Sequence, residues 1–329
     1  MLMRTQEPSG NDPSSSIVHR KKAQTIVIDG RDDIYSVAAL VDGKHIVSGG
    51  KQGKIRYWRI EDNKEVGTPM HAGSSVANIA VSQDGKWIVS GTGDGRVMVW
   101  NSESHSKVTE FRAHDDGVVA VDISPDATKI VTVSEDFTAC VWSLSTGERL
   151  LGPWPKLDRS VVAARFSPDG CLIATATDVD SVRVYDSLDG SLLVKFPVNV
   201  HSTLDHSLAW ASDSKQLFVL SRGGDIHRVD VSTGTTLSHW HIHSSNYPTC
   251  ITLASNGTFI AASAGSSVSF WDTTSQEQIG IAIRHTHQIT SIAMSSNCDL
   301  VTSGGKRITL RTLCGILPSH YLGNVSVPL

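Results

Sequence analysis

Between residues 118 and 142 apolar and polar positions alternate in three short runs: Val118 to Ile123, Lys129 to Val133, and Thr138 to Trp142. A period of two sends successive side chains to opposite faces, the pattern of a strand buried on one side. Ser124-Pro125-Asp126-Ala127 separates the first two runs. Proline presets φ and aspartate bonds its own backbone, so this segment predicts a turn. Ser134-Glu135-Asp136 predicts the turn back. Links this short imply an antiparallel meander.

The unit recurs along the chain. The first turn returns as Val41-Asp42-Gly43, Gln83-Asp84-Gly85, Pro168-Asp169-Gly170, Asp213-Ser214-Lys215, Ser255-Asn256-Gly257 and Ser296-Asn297-Cys298. With Asp126 and, in the fifth repeat, Ser214 as the marker, the steps are 42, 42, 43, 45, 42 and 41. The end of the third strand returns as Trp58, Trp100, Trp142, Tyr185, Val229, Trp271 and Arg311, with steps of 42, 42, 43, 44, 42 and 40. Two independent markers share one period, in the ~40–45 range of a four-stranded propeller blade. A fourth strand follows each unit, as at Lys107 to Arg112, and no sustained helical periodicity occurs between Ile34 and Arg311. Such a sheet buries both faces only by stacking on neighbours, and a closed ring leaves only short edges.

The expected fold is therefore an all-β, seven-bladed propeller of four-stranded antiparallel blades. The expected organisation is a leader over 1–22, a propeller over 23–313 and a tail over 314–329. Within the propeller a closing strand occupies 23–33, and repeats fall at about 34–75, 76–117, 118–160, 161–205, 206–248, 249–288 and 289–313. Thr25-Ile26-Val27-Ile28 and the following Asp29 to Asp33 line up with Glu110 to Arg112 and the following Ala113 to Gly117. The N-terminal strand is thus expected to complete the last blade. The rival is the apolar tail, Cys314 to Leu329, supplying that strand or lying across the ring.

Phrases such as SQDGKWIVSGTGDGRVMVW (82–100) and SPDGCLIATATDVDSVRVYD (167–186) sit on this period. Through them, and over residues 25–313, the chain resembles the WD40-repeat family, and its uniform style resembles fungal sets of near-identical repeats. The resemblance implies a structural tetrad in the third repeat: Trp142 donating to Thr132, Thr132 bonded to His114, and His114 bonded to Asp136. The spacing alone makes this network possible without establishing it. Other repeats depart from the pattern. Only Trp271-Asp272 keeps the Trp-Asp pair. The second repeat has Ser90, Asp94 and Trp100, but His71 is one position out of register. The seventh has His285 and Thr302, but Gly305 and Arg311 replace Asp and Trp. The fifth has Gly223 and Val229 in those places. Blades 2 and 3 are expected to be stiffest, and blades 5 and 7 softest.

Composition narrows the function. The chain has 329 residues, 40% hydrophobic and 19% charged, with a formal net charge of −4. That balance suits a globular protein and makes no electrostatic case for nucleic acid. No apolar run reaches the ~18 residues of a membrane span, and residues 1–16 hold no secretory apolar region. The five cysteines form no disulfide or C-x-x-C pattern, which fits a reducing compartment. A cytoplasmic location is expected, with the nucleus open through His19-Arg20-Lys21-Lys22. His239, His241 and His243 alternate on one strand, as His285 and His287 do elsewhere. Ligands in a row on one flat strand seldom converge, so neither a metal nor a cofactor is expected. No G-x-S-x-G elbow supports a hydrolase. The glycine-rich turns precede strands rather than helices, so they are not phosphate cradles.

The turns between second and third strands should all emerge on one face. They carry Lys51 and Lys54 in repeat 1, with Lys306 and Arg307 in its ring neighbour, repeat 7. Glu135, Asp178 and Asp180 lie across the ring, and Arg222 is in repeat 5. A bipolar face of this kind would orient a partner more than it would add affinity. The expected function is a non-catalytic scaffold for protein or peptide ligands, a monomeric module within a larger assembly. Alternatives are a reader of peptides or modified histone tails and a ubiquitin-ligase substrate receptor. The receptor is weakened because Trp271-Asp272-Thr273-Thr274 lacks the arginine that the cullin-adaptor pattern wants. An enzyme with its site in the channel is disfavoured because Val118, Ala120, Val161 and Ala163 on the innermost strands are small and apolar.

Overall fold

The structure is a computed structural model. It describes residues 33–154, 161–177, 181–198, 200, 207–242, 249–295, 298, 300–305, 308–312, 317, 318 and 321, with 25–28, 249 and 309–312 as backbone alone. Among the described residues there is no helix. Each repeat forms one antiparallel meander. Strands within a sheet are lettered a to d from the inside out, and sheets are numbered by repeat. In sheet 3 these are Val118–Ile123, Lys129–Ser134, Ala139–Ser143 and Arg149–Leu151.

Six sheets have four strands, and the sheet of the first repeat has five. The four-stranded blade expected from the sequence holds there with its fourth place shared by two short strands. Its outer strand is broken into Lys64–Glu65 and Met70–His71, which pair with opposite ends of strand c, Lys54–Arg59. Gly67, at φ 73°, and Thr68-Pro69 lie in the gap. Proline has no N–H for the ladder, and a positive φ breaks the extended run.

The packing follows from the burial pattern. Strand a of each sheet packs on strand a of the next, and that of sheet 7 (Ile289–Met294) packs on that of sheet 1 (Ile34–Ala39). The core therefore lies between sheets. Val89, Val97 and Val99 of sheet 2 cluster with Val118, Val121, Ile130 and Trp142 of sheet 3. Val118, Ala120, Val161 and Ala163 are fully buried in these inter-sheet layers, so they do not line a channel as the sequence suggested. A second device ties the inner strands. Ser291 Oγ accepts the Val37 N–H at 3.1 Å, Ser36 Oγ that of Ile79 at 3.0 Å, and Asn78 Oδ1 that of Val121 at 3.0 Å. Sheet 3 has Ala120 at that place, and Asp122 takes over, accepting the Phe166 N–H at 2.8 Å.

The a–b turns each carry one residue at positive φ: Gly43, Gly85, Ala127, Gly170, Ser214, Gly257 and Cys298. Ser214 is thus the counterpart of Gly43, and Asp213 that of Asp42. Asp213 Oδ1 accepts the Lys215 N–H at 2.9 Å, as Asp42 Oδ1 accepts that of Lys44 at 2.8 Å. Using Ser214 as the marker in the fifth repeat was one position out. The strand-c markers hold their register: Trp58, Trp100, Trp142, Tyr185, Val229, Trp271 and Arg311 each pair with a β-branched residue or leucine of strand b.

Thr25–Ile28 pairs antiparallel with strand c of sheet 7, Thr25 opposite Arg311 and Ile28 opposite Ile308. The described part of the tail takes another path. Leu317 is buried among residues of sheets 6 and 7, and Tyr321 Oη donates to Asp272 Oδ2 at 2.7 Å.

Candidate partner-binding face

The b–c turns and d–a loops share one face of the ring, and in sheet 3 a polar network fixes one to the other. His114, in the d–a loop before strand a, is only 4% exposed. Its Nε2 lies 2.7 Å from Thr132 Oγ1, and its Nδ1 lies 3.0 Å from Asp136 Oδ2. Trp142 Nε1 donates to Thr132 Oγ1 at 2.8 Å. The donors run one way in a neutral ring. The indole gives to the hydroxyl, the hydroxyl gives to Nε2, and Nδ1–H gives to the carboxylate. Burial pushes the His114 pKa below its ordinary value against the charge of Asp136. Burial pushes Asp136 up, but the Thr138 hydroxyl, the His114 charge and backbone N–H groups outweigh it and hold that carboxyl low.

Thr138 is a fifth member that the sequence did not single out. Its hydroxyl lies 2.6 Å from Asp136 Oδ1 and 2.9 Å from His114 Nδ1. A hydroxyl two residues past a turn aspartate was the available signal. Asp136 Oδ2 also accepts the Asp115 N–H at 3.1 Å, and the Glu135 N–H reaches Gly117 O at 3.0 Å. The turn 134–138 and the loop 113–117 are thereby one rigid piece.

That piece presents Phe137, 45% exposed and at φ 68°. Phe137 N–H donates to Ser134 O, as Gly53, Gly95 and Gly224 donate in their own b–c turns. Phenylalanine thus occupies a left-handed slot that three other repeats give to glycine, at a cost of order 1 kcal/mol or more. Exposed Glu135 precedes it by two positions, and exposed Asp115 and Asp116 lie in the loop bonded to its turn. The sequence reading passed over Phe137, although its misfit in a glycine slot of the repeat was visible.

Three of the other predicted face residues lie among the described residues. Lys51 is exposed, with its amine 4.0 Å from the carboxylate of Asp33, so its field is partly cancelled. Lys54 is half-buried at the start of strand c, opposite His71, and Arg222 is exposed in sheet 5. Asp178, Asp180, Lys306 and Arg307 lie outside the described residues, as do His243 and the leader.

The remaining tetrads are partial. Trp58 and Trp100 donate to Ser48 at 2.8 Å and Ser90 at 3.0 Å. His71 is exposed, and buried Ala72 stands in the register of His114. Trp271 donates to Ser269 on its own strand at 2.8 Å. In sheet 7 the register puts Ser303, not Thr302, opposite Ile292, as Thr132 stands opposite Val121. The sequence assignment of Thr302 was therefore one residue early. On the inner strands, Asp122 sits beside the positive charge of Arg165. Burial raises its carboxyl above the ordinary range, with Arg165 and two backbone N–H groups opposing. The inner wall is thus not purely small and apolar.

On the opposite face, a cavity of about 360 Å³ lies between sheets 3 and 4, lined by Asp126, Lys129, Asp169, Cys171, Asp186 and their neighbours. Its carboxylates are engaged in turns: Asp126 accepts from Ser124 at 2.5 Å and Asp169 from Ser167 at 2.5 Å. The Lys129 amine donates to Ser187 O at 2.9 Å. Among the described residues no helix is long and apolar enough to cross a membrane.

A family model described as WD domain, G-beta repeat (WD40) matches residues 22–59, 64–101, 105–143 and 234–272. The first three matches cover the clasp and sheets 1 to 3, where the Trp-to-Ser/Thr bonds occur. The fourth ends at Asp272 of the Trp271-Asp272 pair. No curated protein matches the chain.

Proposed function

We propose that this chain, a WD40-repeat β-propeller, is a non-catalytic docking platform for protein or peptide ligands, its repeats closed into a seven-bladed ring over residues 23–313. The docking site is the face around sheet 3, and the ligand is a basic peptide segment carrying one apolar residue. The observation that carries this reading is Phe137. It is exposed, conformationally strained and held by a buried network that gains the fold nothing by displaying it. Exposed aromatic anchors with a polar rim are the form that binding hot spots take. The neighbouring carboxylates Asp115, Asp116 and Glu135 favour Lys or Arg in the ligand and steer its approach. A lone phenylalanine is not an aromatic cage, which places an unmodified basic segment ahead of a methylated histone tail. In the cavity Asp126 and Asp169 are bonded to their own turns and Lys129 to a backbone carbonyl, which supports a non-catalytic role.

Selection of random displayed peptides on the intact chain tests the reading. Enriched peptides should pair Lys or Arg with a large apolar residue. Their binding should fall by ten-fold or more in Phe137→Gly and in Glu135→Lys, with the melting temperature held within a few degrees. Enrichment of acidic peptides, or full binding by both variants, would refute the site.

A further inference from the structure

The outer part of sheet 5 carries imidazoles that a docking platform does not use. Strand c (Asp225–Asp230) and strand d (Thr235–His241) pair with Asp225 opposite His241 and His227 opposite His239. Because side chains alternate along a strand, these four share one sheet face. Their neighbours Ile226 and Trp240 are buried on the other. The rings of His227 and His239 lie nearly parallel, with an interplanar angle of 19° and centroids 5.8 Å apart. Two imidazoles on one tetrahedral zinc, with Zn–N near 2.0–2.1 Å, have centroids roughly 5 Å apart, so this pair is within a small ring movement of that spacing.

His241 adds the third donor and a sign of orientation. Its Nδ1 lies 2.9 Å from Asp225 Oδ1. In the neutral ring that nitrogen donates to the carboxylate and leaves Nε2 as a free lone pair. Carboxylate–histidine pairs of this kind fix the tautomer of metal-binding imidazoles and raise their basicity. Burial pushes the His227 pKa down, as does the nearby His239, against the opposing charge of Asp225.

The sequence had set aside a metal because its three candidates, His239, His241 and His243, stood in a row on one strand. The fold changes the geometry. The third donor comes from across the ladder, so two residues of one strand and one of its neighbour make a triangle. We propose that His227, His239 and His241 form a zinc-type transition-metal site on the outer part of sheet 5, with Asp225 as the orienting partner of His241. Among the described residues no group of three or more His, Cys, Asp or Glu side chains, as they stand, is placed to hold a metal ion. Convergence needs rotation of His239 and His241 about their side-chain bonds, which their exposure permits without moving the core. Three protein nitrogens leave one tetrahedral position for water or a donor from a partner.

The experiment is calorimetric titration of the tag-free full chain with Zn²⁺, paired with Co²⁺ substitution read by visible absorption. The expected result is a single equivalent bound and a tetrahedral cobalt spectrum. Affinity should fall by ten-fold or more in His239→Ala and in His227→Gln, and by about ten-fold in Asp225→Asn, the scale seen for outer-shell partners. Circular dichroism and metal-free melting curves establish that each variant is folded. An octahedral cobalt spectrum, or zinc affinity unchanged in both folded histidine variants, would overturn the site, as would no binding by the parent chain.

Discussion

Sheets 3 and 5 have the same topology and hold themselves together by opposite means. In sheet 3 the strand-b position is Thr132 and the strand-c position Trp142, joined through His114 to Asp136. In sheet 5 the same positions are Val219 and Val229, both fully buried. Hydroxyl and indole are absent together, and two valines pack against sheet 4 instead. The indoles of this sheet stand elsewhere, Trp210 on strand a and, edge-on to Phe218 at 6.3 Å, Trp240 on strand d. The Trp240 Nε1 and the Ser238 hydroxyl are buried with no partner among the described residues. Removing both halves of a buried polar contact leaves a packed apolar pair, whereas removing one half strands the other. The repeat thus tolerates loss of its whole network more readily than loss of one member.

The sharpest test of this contrast is Thr132→Val. It puts the residue of sheet 5 into sheet 3 while leaving Trp142 Nε1 and His114 Nε2 without their partner, and should cost about 2–4 kcal/mol in denaturant unfolding. A cost below about 1 kcal/mol would mean that the network contributes little. The reverse graft, Val219→Thr, buries a hydroxyl among valines and should cost about 1–3 kcal/mol. If it were neutral, sheet 5 would have an unrecognised acceptor.

Acidification tests the network of sheet 3 next. The folded-state pKa of His114 lies below its ordinary 6.5, so the unfolded chain binds this proton more readily than the native one. The His114 contribution is complete above pH 6.5 and is lost as pH falls through the folded value; Asp136 follows the same sign from 3.8 downward. Melting temperature should therefore decline below pH 6.5, less steeply in His114→Gln. Identical slopes would assign acid sensitivity to other groups. The smallest effect is expected at the b–c turn, where sheet 5 has Gly224 and sheet 3 has Phe137. Phe137→Gly relieves the left-handed strain but frees the unfolded chain, for a net change within about 1 kcal/mol. A larger loss would show that Phe137 is there for packing. Hydrogen exchange should find strand b of sheet 3 slower than strand b of sheet 5, and the opposite order would reverse the stiffness ranking.

Much of this fold was legible because the repeat is written twice, once in turns and once at the ends of strand c. Both markers answer to local chemistry. An aspartate turn followed by a residue at positive φ needs nothing from the rest of the chain, so Asp42, Asp84 and Asp126 can be found by eye. The misreading at Ser214 arose where serine took the glycine slot and hid the register. The split outer strand of sheet 1 was missed because Gly67 and Pro69 break a strand only where the ladder needs them. The inner ties of Ser36, Asn78 and Ser291 recur with the period, but small polar residues on a buried strand look like weak positions until a neighbouring backbone N–H is seen to need them. The histidine triangle was illegible for a different reason. His227 and His239 are twelve positions apart, and only the c–d pairing makes them neighbours.

Because Thr25–Ile28 lies against Ile308–Arg311, the first and last described strands end side by side in a single sheet. The order of blades along the polypeptide is then one of several equivalent ways to open the same ring. A short linker between these ends, with a fresh opening in a loop between two other sheets, should give a circular permutant of the same propeller.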